Sequence, residues 1–548
     1  MTGEFGTSLA DYQGTIPRML DRAAGRAGGV AAELADAGIG HGDLVMLTAR
    51  TTPAYLLAWL ALAALGAVTV PVNPASAPAE LAGLIGQVRP AVVLTDPDLY
   101  PALDQADGAG GARGAGGASG AGGTGGYGGH GGPGLGPVLD QAARRDGLVR
   151  AVIDVNRLGA GRTAGHALAD LPGAPVRPDD LAVLIPTSGT TGRSKLVMQT
   201  HRAYALAGEG FPFWMELDAS DRLMTSLPLF HINAPIYSVL GSLACGAGLV
   251  LVPRFSASGF LATARRHGAT EFNAIGAMLE ILMRQPPRPD DADTPLRLCY
   301  TGPAPERARQ QEIEARFGIR IVVGYAMSES PYGLIWPRGT RPFGTLGAVR
   351  QHPVLGVVNE ARVVDQAGAE LGPGETGELL LRNPVLTRGY WGMPEETASV
   401  LTEGWLHTGD LVTVGADGTY TFVSRVKEVL RRRGENLSPL EVEEVLGAHP
   451  DVLECAVVGV PSELSDEEVK AFVVAAGGTA LDFAALQAFA AARLAAFKVP
   501  RYWQQVDGLP RTPTARVAKH RLPAGHPPGE YDAEAVPAAT LPEGDDRP

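Results

Sequence analysis

From Asp43 to Leu94, short apolar runs alternate with longer stretches whose apolar residues recur at helical spacing. Leu44–Leu47, Val68–Val72 and Ala91–Leu94 are predicted strands, and Pro53–Leu65 and Pro78–Gln87 predicted helices. Such alternation predicts a layered α/β domain. Tyr55–Val72 is almost wholly apolar and nearly long enough to span a bilayer. Gly66 and Pro71 interrupt it and Pro74 follows, so it divides into a buried helix ending near Leu65 and a strand over Ala67–Val72. The alternation resumes at Leu181 and continues past Val323. Between these blocks lies Gly108–Gly136, mostly Gly with some Ala and Ser. It has too little apolar surface to offset its chain entropy and is predicted to be a disordered insertion. Near Tyr420–Arg425 the pattern changes to a compact αβ series: Pro439–Ala448, Val457–Val460, Ala471–Ala475 and Ala484–Ala495. A Pro- and acid-rich tail follows Leu522. The expected organisation is a large layered α/β domain over 1–425, a small α+β domain over 426–522 and a disordered tail over 523–548.

Composition narrows the function classes. A chain of 548 residues exceeds one core, so more than one domain is expected. The net charge of −13 argues against a general nucleic-acid binder, and any site for a polyphosphate must be a local basic patch on an acidic body. Cys245, Cys299 and Cys455 lie far apart with no ligand spacing, which fits free thiols in a reducing cytoplasm. Met1–Asp11 lacks a basic segment followed by an apolar core, so no signal peptide and no membrane span are expected.

The richest chemistry lies at Thr187-Ser188-Gly189-Thr190-Thr191-Gly192-Arg193-Ser194-Lys195, directly after the apolar run Leu181–Pro186. Glycines let the backbone N–H groups converge, hydroxyls add donors and the lysine adds charge, which together suit a polyphosphate. The spacing is not that of a Walker A loop. It resembles the phosphate loop of the adenylate-forming superfamily, which includes acyl-CoA synthetases, luciferases and peptide-synthetase adenylation domains. Further segments match that superfamily in order, covering nearly all of Asp43–Leu522 apart from the glycine insertion.

The resemblance implies roles residue by residue. In Pro228-Leu229-Phe230-His231-Ile232-Asn233, His231 lines and gates the acyl pocket. Amino-acid-activating relatives carry an aspartate just downstream, whereas Ile232–Ile236 has no carboxylate, so an acid without an α-ammonium group is implied. Gly302, Pro303 and Ala304 match a turn packed against adenine. In Gly324-Tyr325-Ala326-Met327-Ser328-Glu329-Ser330, Tyr325 stacks on adenine, the Ser328 hydroxyl meets the α-phosphate and Glu329 holds Mg²⁺. In Trp405–Leu411, Asp410 accepts both ribose hydroxyls, and Arg425 adds a ribose and phosphate contact. Lys427 matches the hinge about which a mobile small domain turns between an adenylating and a thioester-forming pose. Gly434 matches a glycine that lets the pantetheine arm of coenzyme A pass, and Arg433 replaces another common glycine. The run Arg431–Arg433 suits either CoA phosphates or an ordinary solvated basic turn.

One element departs from the pattern. Relatives end with Pro-Arg-Thr-Pro-x-Gly-Lys, whose lysine contacts the reacting carboxylate and α-phosphate. Here Ala515 stands for the glycine and Arg516 for the lysine, with Lys519 three residues on as a second candidate. Arginine keeps the charge but is a planar fork.

Motif spacing is similar to that of carnitine/crotonobetaine-CoA ligase-type and aryl-CoA ligases. The resemblance therefore implies an ATP-dependent acid–CoA ligase forming an acyl-AMP, with ATP, Mg²⁺ and coenzyme A. A carrier-protein thiol is the alternative acceptor, and a non-catalytic acyl-nucleotide binder the competing class. Gly-, Ala- and Pro-rich usage fits a high-GC bacterium, where such ligases prime natural-product and antibiotic assembly, which favours an aromatic acid.

Overall fold

The structure, a computed structural model, describes residues 15–16, 25–76, 78–99, 149–158, 175–187, 194–302, 304–426, 430–432, 435–461, 467–494, 496–511, 517–523, 525–527 and 529–534. The predicted glycine insertion over 108–136 lies outside these residues, as does most of the predicted tail. Two compact units divide the chain. One gathers 1–362, 380–408 and 415–421, the other 363–379, 409–414 and 422–548.

In the larger unit the first sheet contains β1 (Leu44–Thr48), β2 (Val68–Pro71), β3 (Val92–Thr95), β4 (Ala151–Asp154), β5 (Leu181–Thr187) and β6 (Lys195–Thr200). Their order is β4-β3-β1-β2-β5-β6, parallel except for the antiparallel β5–β6 pair. Continuous Val/Leu runs such as Val92–Leu94 are almost fully buried, as a parallel sheet covered on both faces requires. The apolar segment that could span a bilayer is instead helix α1 (Pro53–Ala64) followed by β2. Thr52 caps it, its Oγ1 accepting from Tyr55 N at 3.3 Å, and Pro53 occupies the first turn, where no N–H is needed. Among the described residues no helix is long and apolar enough to cross a membrane.

The second sheet contains β7 (Arg222–Thr225), β8 (Gly248–Leu251), β9 (Glu271–Asn273), β10 (Leu298–Thr301), β11 (Arg320–Met327), β12 (Ser330–Ile335) and β13 (Ala348–Val349), in the order β13-β12-β11-β10-β9-β7-β8. Strands β8, β7, β9, β10 and β11 run parallel, β12 pairs antiparallel with β11, and β13 pairs antiparallel with β12. Helix α2 (His201–Met215) is capped by Thr200 and packs on a π-helix, Asn233–Leu240, that periodicity did not predict. Gly208 permits that approach: a Cβ there would lie 2.5 Å from Leu240 Cβ. A further five-stranded sheet comprises β14 (Glu360–Val364), β15 (Thr376–Arg382), β16 (Leu401–Thr402), β17 (Trp405–Val414) and β18 (Tyr420–Arg425).

The smaller unit contains a ribbon of β19 (Leu430–Arg432) and β20 (Glu435–Leu437). Its four-stranded sheet joins β21 (Val452–Pro461), β22 (Glu467–Ala475), β23 (Tyr502–Gln505) and β24 (Tyr531–Asp532). Helices α3 (Pro439–Gly447) and α4 (Phe483–Ala491) supply Val442, Leu446 and Leu486 to a core with Val457, Val469 and Trp503. The predicted helix Ala484–Ala495 thus ends four residues early, and the predicted strand Val457–Val460 begins at Val452.

Two buried histidines make the larger unit sensitive to acid. Burial pushes both His201, at the start of α2, and His352 down to about 4 from the ordinary 6.5. Each is therefore neutral in the fold and takes up its proton more readily when unfolded. Their stabilisation is fully present above about pH 6.5 and is lost as the pH falls toward 4, on the order of 3 kcal/mol for each at the limit. The urea midpoint of this unit is expected to fall between pH 7.5 and pH 5, where carboxylates remain largely ionised. A flat profile across that window would refute the assignment.

Candidate active site

Ligands of open α/β sheets bind beyond the carboxyl ends of the parallel strands. Several of the sequence-predicted residues of the larger unit lie at or just beyond strand ends. Thr187 ends β5 and Lys195 begins β6, and they are register partners, with Thr187 Oγ1 donating to Lys195 O at 3.3 Å. The hairpin they close carries Ser188, Gly189, Thr190, Thr191 and Gly192, which lie outside the described residues. Lys195 is thus fixed on a strand rather than on the helix that follows a Walker-type loop.

Thr301 and Gly302 follow β10. A Cβ on Gly302 would meet Gly324 O at 2.4 Å, so only glycine allows the two chain segments to touch. Pro303 lies outside the described residues and Ala304 is half-buried. Strand β11 runs on to Met327 and carries Tyr325 near its end. The Tyr325 hydroxyl lies 3.8 Å from Met327 Sδ. Ser328 is half-buried and its carbonyl accepts from Gln199 Nε2 at 2.7 Å. His231 is half-buried just before the π-helix, its ring edge-on to Phe230 at 4.6 Å.

Glu329 occupies the turn between β11 and β12 and is 9% exposed. Its Oε1 accepts from the Tyr390 hydroxyl at 2.8 Å, and its backbone carbonyl accepts from Thr387 N at 2.7 Å. The Lys195 ammonium lies 4.5 Å from the centre of the Tyr390 ring, within cation–π range. A cation, a phenol and a carboxylate therefore stand in a row. Burial first, and the Glu329 charge second, push the Tyr390 phenol above its ordinary range, so it remains a donor. Segment 387–391 is held against β6 by Met198 N to Gly389 O and Trp391 N to Leu196 O, both 2.9 Å. Sequence reasoning missed Tyr390. Its only local signal is an aromatic pair between two glycines, Gly389-Tyr390-Trp391-Gly392.

The smaller unit carries its own candidates. Asp410 is 2% exposed, with Oδ1 3.1 Å from Arg425 Nε on a half-exposed side chain. The N–H of Gly409 donates to Glu378 Oε1 at 2.9 Å. Lys427, Arg433, Gly434 and Arg516 lie outside the described residues. Lys519 is ion-paired with Glu443 at 2.8 Å. Within the basic run, Arg432 is buried, paired with Glu468 at 2.6 Å and donating to the carbonyls of Phe497 and Val499. Neither of the uses predicted for the run Arg431–Arg433, phosphate binding or a solvated turn, therefore applies to Arg432, which ties the ribbon to the small core.

Comparison with known proteins agrees with this geometry. The family model of the AMP-binding enzyme matches residues 22–391, and that of the AMP-binding enzyme C-terminal domain matches 441–516. Crotonobetaine/carnitine–CoA ligase of Salmonella arizonae is 30% identical over 88% of this chain and 89% of its own length. The crystal structure of ATP-bound MatB from Rhodopseudomonas palustris superposes with a TM-score of 0.75 at 26% identity, over 94% of this chain and 93% of that one. The anthranilate CoA ligase AuaEII, in complex with anthranoyl-AMP, shares the fold, with a TM-score of 0.77 at 22% identity over 94% of this chain and 98% of that one. With its large α/β unit, its smaller unit and both family regions in order, the chain belongs to the AMP-binding enzymes, the family that includes acyl- and aryl-CoA ligases.

Proposed function

We propose that this chain is an ATP-dependent acid–CoA ligase acting through an acyl-AMP. The carboxylate of the acid attacks the α-phosphorus of ATP, the bond to the β-phosphate oxygen breaks, and pyrophosphate leaves. A thiol then attacks the acyl carbon, AMP leaves and the thiol proton passes to solvent. The observation that carries this reading is the row Lys195–Tyr390–Glu329, which sets a cation and a carboxylate around one phenol at the mouth of the Thr187–Lys195 hairpin. Lys195 neutralises the departing pyrophosphate, with Thr187 and the loop donors around it. Tyr325, Ser328 and Gly302 receive the adenine and α-phosphate side, Asp410 and Arg425 the ribose, and His231 the acyl group. Lys427 serves as the hinge, and Arg433 and Gly434 serve the thiol half-reaction.

Mg²⁺ fits Glu329, because this ion is ordinarily bound by one or two carboxylates plus substrate phosphates. No cluster of three or more His, Cys, Asp or Glu forms a ready-made cage among the described residues. When bound, the ion would neutralise phosphate charge. Ile232–Ile236 has no acidic partner for an α-ammonium group, which supports an aromatic or medium-chain acid. The composition supports a role in supplying such an acid to natural-product assembly in the cytoplasm.

The test is pyrophosphate release with a panel of carboxylic acids, with and without CoA. Acid-dependent release together with CoA consumption is expected. Release without thioester formation would move the acceptor to a carrier-protein thiol, and no release with any acid would leave a nucleotide-binding homologue.

A further inference from the structure

Ser328 and Glu329 form the two-residue turn between β11 and β12, closed by the register pair Met327–Ser330. Two-residue hairpin turns that match the twist of their strands need a left-handed residue at the first central position. The non-glycine residues with positive φ are Arg89, Glu216 and Glu403, so neither residue of this turn supplies one. A register shift between Tyr325 and Met327 further disturbs the ladder just before the turn. The hairpin is therefore not of the kind that specifies its own shape, and ties from elsewhere in the larger unit hold it. Glu329 O accepts from Thr387 N at 2.7 Å, and Ser330 Oγ accepts from Asn383 Nδ2 at 3.1 Å. Ser328 is tied by Gln199, whose Nε2 donates to its carbonyl at 2.7 Å.

Gln199 lies on β6 and is 0% exposed. A carbonyl accepts and cannot donate, so the amide must turn its NH₂ toward Ser328. Its Oε1 is buried without a hydrogen-bond partner. An amide kept in a core for one bond, with its other end unsatisfied, is a poor stabiliser, because the unpaired group offsets what the bond contributes. Stability alone does not account for a glutamine here.

The face of β6 that carries Gln199 does. Side chains alternate along a strand, so Lys195, Val197 and Gln199 share one face. Leu196 packs in a separate core from Val197, as that alternation requires. Along the shared face, the Lys195 ammonium lies 4.5 Å from the centre of the Tyr390 ring, Val197 bridges Tyr390, and Gln199 reaches Ser328. One strand thus carries the cation at its start and the tie to the turn near its end.

We propose that Gln199 is a positioning residue for acyl-AMP formation: its Nε2 fixes the backbone of Ser328, and with it the place of the Ser328 hydroxyl, relative to Lys195. This rests on the ligase reading above, in which Ser328 meets the α-phosphate. Gln199 itself touches no substrate in that reading.

The experiment uses Gln199→Met, which keeps the length of the side chain and removes the donor. With an acid that the parent protein turns over, kcat for pyrophosphate release should fall by ~10–10²-fold, the scale of a small misplacement of reacting groups. The KM for ATP and the melting temperature should stay near those of the parent. A double-mutant cycle with Ser328→Ala identifies the route. Adding Gln199→Met to Ser328→Ala should lower kcat little further, because the hydroxyl it places is already gone. An unchanged kcat in folded Gln199→Met, a loss confined to KM, losses that multiply fully in the double variant, or a Ser328→Ala variant as active as the parent each overturn the proposal and leave the ligase reading standing. If Gln199→Met does not fold, Gln199→Asn, whose amide falls one methylene short of Ser328 O, is read the same way. Failure of both to fold makes the residue structural and overturns the proposal. No pyrophosphate from the parent with any acid overturns the ligase reading and this proposal with it.

Discussion

Glu329→Gln is expected to lower acid-dependent pyrophosphate release by ~10²–10³-fold, the usual loss when one preorganised charged group is removed from a transition state. The change is nearly isosteric. The amide oxygen can still accept the Tyr390 hydroxyl that Glu329 Oε1 accepts at 2.8 Å, and the backbone carbonyl still accepts from Thr387 N. The charge alone is lost, so thermal stability should hold while the rate falls. Tyr390→Phe separates positioning from charge. It removes one hydrogen bond to a carboxylate, worth about 1.5 kcal/mol at the lower end, or roughly tenfold in rate, and keeps the ring beneath Lys195. Full activity in Glu329→Gln, measured at saturating Mg²⁺, would take this carboxylate out of the chemistry.

The contrast between these two residues also shows what the sequence carried. Glu329 was recognisable as a candidate because it sits in a local motif after an apolar strand. Tyr390 was not, because its value comes from pairing with β6 far upstream, where Val197 and Tyr390 form a bridge. Periodicity reports which face of an element is buried and says nothing of which distant loop is laid against it. The layered α/β character, α1 and the small αβ unit followed from runs and breakers such as Gly66 and Pro71, whereas strand direction did not. The π-helix did not, since Asn233–Leu240 is almost wholly apolar and any helical period fits it. Arg432 makes the same point at a single residue. An arginine in a basic run reads as solvated or phosphate-binding until its burial and partners are known, and this one lies inside, paired with Glu468.

Arg516→Ala is expected to slow acyl-AMP formation by ~10²–10³-fold and to leave thioester formation from supplied acyl-AMP nearly unchanged. The first half-reaction needs a cation between the attacking carboxylate and the α-phosphate. Two residues near the end of the chain can supply it, Arg516 and Lys519. Lys519 is already committed. Its ammonium lies 2.8 Å from Glu443 Oε1, the same oxygen that accepts from Val457 N at 2.7 Å. Both side chains of that pair are largely buried, at 24% and 17% exposure. Moving Lys519 to a substrate would strip Glu443 of its counter-charge inside the small unit, and breaking a largely buried pair is costly. Lys519→Ala should therefore lower the melting temperature of that unit while largely sparing pyrophosphate release. Arg516 carries the charge at the position where relatives place lysine, and a guanidinium can span two oxygens where an ammonium meets them as a point charge. Arg516→Lys combined with Ala515→Gly should accordingly retain or raise the adenylation rate. The decisive comparison is single-turnover acyl-AMP formation in the two alanine variants. A silent Arg516→Ala beside a crippled but folded Lys519→Ala would move the catalytic charge along the chain and show that the Glu443 pair opens during the reaction.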